Sequence, residues 1–368
     1  MSDHPMMAEI RRQAHLRKTV QSVENSMQAC CEDLKSRKIR HIMITGSGDS
    51  HYISLSVRHF FQNMCPECEI EMPTSLNFAK YCLHRVHEQT AVIAISISGN
   101  VVRTIECVEK SQERGAYVIG ITNNRDSRLA QTAQRPVFLD LDTEPTWTCG
   151  TLTYLGSMYA LARAAITLSS FDEEAKAQRL TELSQTLEKV EQVLNASEEI
   201  CKSAARNMRI IGSRPPFFVL GAGGNYGTAK YGAAKFMEVC STLGIGQECE
   251  EFCHGEFWVI DRANPVFMIA PTGAGFERCC EVATVLRKYG CDLFVLSDDE
   301  ALCALGKYAV QMPLCPEWTT PFLYALPFQF LAYYYSYEKG LNPDTRDHTD
   351  PFRKTCSRIL TRGRDMVL

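Results

Sequence analysis

The stretch IRHIMITGSGDS, residues 39–50, joins a compact apolar run to a segment with two glycines that ends in Ser50, and a helical pattern follows it through Asn63. This order predicts a buried β-strand, a glycine-rich loop and a helix. The same order recurs in TAVIAISISGN, residues 90–100, and in AYVIGITNN, residues 116–124, with helical patterns after each. Alternating strands and helices of these lengths predict a parallel sheet covered by helices on both faces.

The second half of the chain repeats this plan. PPFFVLGAGGNYG, residues 215–227, is again an apolar strand that runs into glycines, and strands are predicted for residues 265–271 and 292–299. An internal duplication is the economical explanation. A charged segment with an apolar stripe, residues 169–207, lies between the halves and predicts a connecting helix. The predicted fold class is α/β, with two tandem doubly wound domains of three layers each.

A chain of 368 residues exceeds the usual length of one domain, so two domains are expected. The predicted boundaries give five parts, some of them helical segments outside the two α/β domains. They are an N-terminal helical segment over 1–36, a first domain over 37–170, a connecting helix over 171–207, a second domain over 208–335 and a C-terminal tail over 336–368.

The composition is that of a globular protein, with 45% hydrophobic and 22% charged residues. A net charge of -4 without a long basic run argues against nucleic acid as a partner, because binding to a phosphate backbone needs a concentrated cationic face. There is no apolar stretch of membrane-spanning length, and the N-terminus lacks the apolar core of a secretory signal. We therefore expect no membrane association and a cytoplasmic location.

The seventeen cysteines are scattered through apolar runs, which favours reduced, buried thiols over a disulfide framework. Cys65 and Cys68 have the spacing of half a zinc site, but no second CxxC or HxxxH motif completes it. No metal is therefore expected.

Two glycine-rich turns, Gly46–Ser50 and Ser96–Asn100, each follow a predicted strand and lead into a helix. Backbone N–H groups, the helix dipole and serine hydroxyls all favour a phosphate at such turns. Ligands on doubly wound sheets collect at the carboxyl ends of strands near a switch point, so two turns in one sheet predict a joint phosphate site. Neither turn is a Walker or GxGxxG motif, so no nucleotide cofactor is expected. The alternative is that these serines only cap helices.

Candidate acid/base residues lie in KYGAAKFMEVCSTLGIGQECEEFCHGEFWVID, residues 230–261. Lys235 and Glu238 are predicted to share one face of a helix that precedes a loop with His254. A carboxylate and an imidazole are the groups that most often carry protons in enzymes. The alternatives are that Glu238 is a solvated helix residue and His254 a turn residue.

Four motifs together resemble the SIS (sugar isomerase) domain family, with two copies covering roughly residues 37–335. They are SGDSHY at 47–52, SISGNVVRT at 96–104, KYGAAKFMEV at 230–239 and EEFCHGEFWVID at 250–261. The resemblance implies two flavodoxin-like domains. It includes the phosphorylated fructosamine deglycases, the glucosamine-phosphate deaminases and the isomerase half of glucosamine-6-phosphate synthase, all of which handle 6-phosphosugars that carry nitrogen.

The resemblance implies roles for individual residues. Glu238 matches the family's general base, His254 its ring-opening histidine, and Lys235 a lysine close to the substrate. The residues implied in phosphate binding are Gly48, Asp49, Ser50, Ser96, Ser98, Gly99 and Thr104.

One position departs from the family pattern, because Val101 stands where a threonine commonly joins the phosphate, and Thr104 or Arg103 is the expected substitute. Thr146 and Thr148, on either side of Trp147, are candidates for the sugar pocket, although Trp147 is equally compatible with a core position.

The resemblance implies an enzyme that needs no cofactor and forms a homodimer or a larger homo-oligomer. The expected activity is deglycation, in which a 6-phosphorylated fructosamine is cleaved to an aldose 6-phosphate and a free amine. Deamination of glucosamine 6-phosphate and aldose–ketose isomerisation of a phosphosugar are the alternatives. A regulator that binds phosphosugars without turnover is a further alternative, but it would have no need of Glu238, His254 and Lys235.

Overall fold

The computed structural model describes residues 4–144, 149–210, 216–345 and 352–362, without the side chains of 208–210 and 354. The chain divides into two compact units that each contain one sheet. The first unit comprises Arg17–Thr143, Leu152–Thr181 and Thr349–Leu368, and the second comprises Met1–Leu16, Glu144–Thr151 and Glu182–His348.

Each sheet has five parallel strands. The strands of the first unit are β1 His41–Thr45, β2 Glu69–Glu71, β3 Thr90–Ile95, β4 Tyr117–Thr122 and β5 Arg135–Phe138, in the order β2-β1-β3-β4-β5. The strands of the second unit are β6 Phe217–Gly221, β7 Gly244–Glu248, β8 Val266–Ile269, β9 Leu293–Ser297 and β10 Tyr308–Gln311, in the order β10-β9-β8-β6-β7.

The helices fall into two sets along the chain. In the first half they are α1 Pro5–Arg12, α2 Leu16–Thr19, α3 Gln21–Ser36, α4 Asp49–Met64, α5 Ser75–Asn77, α6 Val102–Glu113, α7 Arg128–Thr132 and α8 Leu152–Leu168. In the second half they are α9 Glu173–Glu188, α10 Val190–Ile210, α11 Asn225–Cys240, α12 Cys249–His254, α13 Phe276–Tyr289, α14 Glu300–Cys303, α15 Thr320–Tyr324, α16 Leu326–Glu338 and α17 Phe352–Arg362.

The central strands of the first unit are mainly apolar and are buried along their whole length, as a sheet covered on both faces requires. Met43, Val92 and Val118 pack with residues of α6 and α7 on one face. On the other side of the same unit, α8 packs against α3 and α4 and is buried around almost its entire circumference.

The second sheet separates two helical layers. Successive residues of a strand point to opposite faces. Phe217 of β6 contacts Phe236 of α11, with ring centroids 4.9 Å apart, whereas its neighbour Phe218 contacts Phe252 of α12 at 5.8 Å. The helices α11 and α12 therefore cover opposite faces of this sheet.

The predicted fold class is confirmed, since both sheets are parallel, doubly wound and flanked by helices. The segment predicted as one connecting helix over 171–207 contains two helices, α9 and α10, which are separated at Lys189. None of the helices in the described ranges combines the length and apolar character needed to cross a bilayer.

The contact of β7 with α11 predicts a stability effect at Gly246. A Cβ atom added there would lie 2.5 Å from the carbonyl oxygen of Ala229, which is backbone and cannot move aside easily. We expect Gly246→Ala to lower the free energy of unfolding by about 1–3 kcal/mol in urea titrations. At Gly255 the nearest atom would be 3.7 Å away, so Gly255→Ala is the control and should stay within about 0.5 kcal/mol of the wild type. Equal effects of the two variants would contradict this packing argument.

Candidate functional site

The two glycine loops of the first unit lie at the same edge of its sheet. They follow β1 and β3, which are hydrogen-bonded neighbours with Thr45 opposite Ala94. From β1 the chain continues to β2 on one side, while β3 leads to β4 on the other, so these two strands flank the switch point of the sheet. This is the place where doubly wound folds bind ligands.

The loop after β1 makes a tight turn into α4. Gly48 has a φ of +59°, a left-handed conformation that favours glycine, and α4 begins at Asp49. Ser50 is buried in the first turn of this 16-residue helix, while Asp49 is half-buried. The positive end of a long helix therefore faces this loop.

The loop after β3 contains a buried hydroxyl that is unsatisfied. Ser96 is only 3% exposed, and among the described residues nothing forms a hydrogen bond with its Oγ. Gly99 has a φ of +63°, and a Cβ atom there would collide with the hydroxyl of Ser127, so only glycine fits. Ser98 is half-buried and accepts from the backbone N–H of Asn100 at 3.4 Å. Because buried polar atoms are nearly always paired, the Ser96 hydroxyl is a candidate ligand contact.

Thr104 occupies a supporting position. It is completely buried on α6, and its Oγ1 lies 3.2 Å from Oγ of Ser75. Ser75 in turn accepts a hydrogen bond of 3.1 Å from Ser47, in the loop after β1. Thr104 is thus connected to the loop through Ser75, which sequence reasoning missed because nothing in the chain between 47 and 75 signals this contact.

In the second unit, Lys235 and Glu238 form an ion pair on α11. Lys235 Nζ lies 2.6 Å from Glu238 Oε2, as the predicted i,i+3 spacing allows. The lysine side chain is 0% exposed and the glutamate side chain 27%. Because an ammonium group is costly to bury without an opposite charge, this pairing holds the carboxylate in a defined position at the surface.

A buried polar network surrounds the lysine. Its Nζ lies 4.8 Å from the centroid of the Tyr231 ring, close enough for a cation–π interaction. The Tyr231 hydroxyl donates to the carbonyl of Gly150 at 2.8 Å and accepts from Gln329 at 3.2 Å. Gln329 is also bonded to Gln13 at 2.6 Å. These partners are distant in sequence, and no local motif pointed to them.

His254 is the last residue of α12 and is exposed over 71% of its side chain. Its Nε2 lies 3.1 Å from Glu250 Oε1. Hydrogen bonds from Arg278 and then from His254 hold the pKa of Glu250 below its ordinary value. Glu248 accepts from the N–H groups of Glu250 and Glu251 as the N-cap of α12, so this part of the acidic run starts the helix.

The structure does not bring Glu238 and His254 together within one chain. The helix α11 that carries Glu238 and the helix α12 that ends at His254 cover opposite faces of the second sheet, as the contacts of Phe217 and Phe218 establish. The glutamate is paired with Lys235 and the histidine with Glu250. A shared role for the two side chains therefore needs two copies of the chain.

The candidate pocket residues Thr146 and Thr148 lie outside the described residues, as does Trp147 between them. Their predicted role is therefore left as a prediction from the sequence.

All seventeen cysteines are free thiols, as the sequence predicts. Burial raises the pKa of Cys107 to about 12, as it does that of Cys65. The thiols of Cys65 and Cys68 donate to different carbonyl groups, those of Ala165 and Ile39. Within the described part of the chain, no group of three or more metal-ligating side chains is found.

The chain belongs to the SIS domain family. The family profile matches it twice, at residues 35–168 and 210–339, and these matches together cover more than half of the sequence. Each match contains one of the two parallel sheets, which confirms the resemblance stated from the motifs.

Relatives of known identity and structure agree with this assignment. The isomerizing glutamine–fructose-6-phosphate aminotransferase of Pyrococcus horikoshii is 27% identical over 317 residues, which are 83% of this chain and 50% of that protein. The chain thus spans about half the length of the curated relatives it matches.

Two solved structures share the fold. One is the C-terminal domain of glucosamine-fructose-6-phosphate aminotransferase from Francisella tularensis, with a TM-score of 0.78 and 17% identity, covering 93% of this chain and 98% of that one. The other is glucosamine-6-phosphate deaminase from Thermotoga maritima, with a TM-score of 0.73 and 18% identity, covering 94% and 98%. At these identities the likeness concerns the fold.

The unsatisfied Ser96 hydroxyl predicts an unusual pair of stability effects. Ser96→Ala removes no hydrogen bond, so its free energy of unfolding should stay within about 0.5 kcal/mol of the wild type. Ser75→Ala leaves Ser47 and Thr104 without their partner and should cost about 1 kcal/mol or more. Denaturant unfolding of both variants measures the difference. A loss for Ser96→Ala as large as that for Ser75→Ala would show that the Ser96 hydroxyl is bonded within the protein.

Proposed function

We propose that this chain is an enzyme that cleaves a 6-phosphorylated ketosamine to an aldose 6-phosphate and a free amine. The observation that carries the proposal is the ion pair on α11, in which a fully buried Lys235 positions a partly exposed Glu238 carboxylate. A protein that only binds phosphosugars would not need a buried ammonium group to position a carboxylate, because burying a charge costs free energy.

The phosphate of the substrate binds to the loops of the first unit in this proposal. Their position at the switch point, the helix that begins at Asp49 and the unsatisfied Ser96 hydroxyl support this role. Ser50 and Ser98 add hydroxyl groups to the same two loops. Thr104 acts through Ser75 and Ser47 in positioning the loop after β1.

Glu238 carries the proton in the chemical step. It removes a proton from C1 of the open-chain ketosamine and returns it to C2, while the amine proton passes to the C2 oxygen. The product is an imine at C1 with a hydroxyl at C2. Water then adds to the imine carbon, the C–N bond breaks, and the amine leaves with the proton it needs. No electrons are exchanged with a further reactant, so the step balances without an oxidant.

His254 assists opening of the sugar ring, and we propose that it acts in the pocket of a second copy of this chain. Its location on the face of the sheet opposite Glu238 supports this, as does its exposure of 71%. Trp258 and Val259 follow it at 79% and 77% exposure. Large apolar side chains exposed next to a polar group are typical of protein interfaces. The assembly proposed is therefore a homodimer or a larger homo-oligomer.

The same proton shift between C1 and C2 would serve an isomerase. The curated relatives are named as isomerizing aminotransferases of fructose 6-phosphate, which favours aldose–ketose isomerisation as the second candidate. A panel of 6-phosphorylated ketosamines, glucosamine 6-phosphate and hexose 6-phosphates separates the candidates by the product released. Release of amine from the ketosamines supports deglycation. Sugar isomerisation alone favours the second candidate, and binding without any turnover would leave a non-catalytic regulator.

Glu238→Gln should reduce kcat by about two orders of magnitude or more, because it removes the group that moves the proton. Binding of the phosphosugar should change little, since the phosphate loops are intact. Glu251→Gln, on the exposed side of α12, is the control and should keep full activity. Turnover and isothermal titration of both variants measure the separation. Unreduced kcat in Glu238→Gln would remove Glu238 from the mechanism.

Mixing two inactive variants tests whether His254 acts in the site of its own subunit or in the site of another. The proposal is that each site contains Glu238 of one subunit and His254 of the other. When Glu238→Gln and His254→Asn proteins exchange subunits, each mixed dimer should then have one complete site. An equal mixture should then recover about a quarter of the wild-type activity. Each variant alone, refolded in the same way, is the control. No recovery despite proven subunit exchange would contradict action across subunits.

A further inference from the structure

The two units repeat each other at the edge where the first unit has its candidate phosphate loops. The strand orders correspond, with β1 and β3 of the first unit matching β6 and β8 of the second. Gly48 follows Gly46 by two residues, as Gly223 follows Gly221. The φ angles of Gly48 and Gly223 are +59° and +56°. The second unit therefore has the same tight turn into its helix α11 and the same switch point between two glycine loops.

The loop after β8 corresponds to the loop after β3 residue by residue. SISGNV, residues 96–101, aligns with APTGAG, residues 270–275, when the paired strands are superimposed by register. Thr272 then matches Ser98, and Gly273 matches Gly99. A hydroxyl and a glycine are thus retained at the two central positions.

The second loop already holds an anion that belongs to the chain. The backbone N–H of Ala274 donates to Glu317 Oε2 at 3.0 Å. A Cβ atom on Gly273 would overlap the same carboxylate, while one on Gly223 would lie 3.6 Å from its other oxygen. The Glu317 carboxylate therefore lies between the loop after β6 and the loop after β8, in the crevice of the switch point.

A second carboxylate binds the other polar groups of this loop. Asp298 accepts from the backbone N–H of Thr272 at 2.7 Å and from its hydroxyl at 2.6 Å. The aligned position in the first unit is the neutral Asn123 of the motif ITNN, which matches LSDD in the second. In the sequence, Thr146-Trp147-Thr148 likewise matches Glu317-Trp318-Thr319, so a neutral threonine stands where the second half has Glu317.

One buried acceptor at this edge is not satisfied by the chain. Asn225 begins α11 directly after the glycine loop, matches Ser50, and is 2% exposed. Its Nδ2 donates to Thr320 at 2.7 Å, but Oδ1 is without a hydrogen-bond partner among the described residues. Such an acceptor would be satisfied by a hydroxyl group of a ligand.

We propose that the second unit retains an anion-binding cradle, defined by the loops Gly221–Gly224 and Ala270–Gly275, and that Glu317 occupies it as an internal anion. The carboxylate takes an amide that would otherwise bind a phosphate oxygen, and its charge repels a free phosphate. Glu317 thereby prevents a free phosphate from binding in the second unit. This inference concerns the second unit alone and does not depend on the proposed reaction.

Glu317→Thr, which installs the residue of the first half, tests the proposal with inorganic phosphate as the probe. Equilibrium dialysis with radiolabelled phosphate should give one more bound phosphate per chain than the wild type, and high salt should weaken the added site. Adding Gly273→Ala should remove the added site, because its Cβ atom would lie where the Glu317 carboxylate lies in the wild type. Glu300→Thr, an equal change of charge on α14 at the same edge, should add no site.

The experiment compares the number of phosphates bound by the variant with the number bound by the wild type. Its outcome is therefore independent of whether the proposed function is correct. A wild type that binds no phosphate and a Glu317→Thr chain that binds one would support the occupied cradle while refuting the phosphate site of the first unit. A folded Glu317→Thr protein with the wild-type number of phosphates would overturn the proposal. If circular dichroism shows that this variant is unfolded, Glu317→Gln replaces it, and unchanged phosphate affinity in that variant is likewise decisive against the proposal.

Discussion

The tight turn from the first strand of each unit into the following helix is the constraint on which both units depend. At Gly46 and at Gly221 the chain comes so close to the first turn of the helix that a Cβ atom would lie 2.6 Å or 2.5 Å from its atoms. Two residues later, glycine adopts a positive φ in both units. This geometry directs backbone N–H groups and the positive end of a long helix toward the switch point, where the next loop also ends.

The two units use this shared geometry in different electrostatic environments. In the first unit the loop after β4 carries Asn123, and the loop after β3 leaves the Ser96 hydroxyl unsatisfied. In the second unit Asp298 and Glu317 accept the hydrogen bonds of the loop after β8. An anion is therefore favoured at one switch point and already supplied by the chain at the other. With the phosphate site proposed for the first unit, the duplicated fold keeps two similar scaffolds and binds an external anion at only one of them.

The proposed proton carrier, Glu238, depends on a different interaction, the burial of the Lys235 ammonium group beside it. The cost of removing this charge from water is offset by the carboxylate at 2.6 Å and by the face of the Tyr231 ring. The carboxylate is held on α11 while remaining partly exposed, as a group that exchanges protons with a ligand must be. His254 has no comparable support, since among the described residues its polar partner is Glu250, on the same short helix. An imidazole with 71% exposure is accessible to a second copy of the chain, as the proposed assembly requires.

The sequence by itself determined the class of fold, because apolar runs, glycine turns and helical patterns alternate in an order that is typical of parallel sheets covered by helices. It also placed Lys235 and Glu238 on one helical face, since their spacing is local. Only the tertiary structure decided that Glu238 and His254 lie on opposite faces of a sheet, because the side of a strand to which each helix packs is not encoded in their separation of sixteen positions. The contact of Thr104 with Ser75 and that of Glu317 with Ala274 were equally invisible in the sequence, as each joins residues that are brought together by pairing of distant strands.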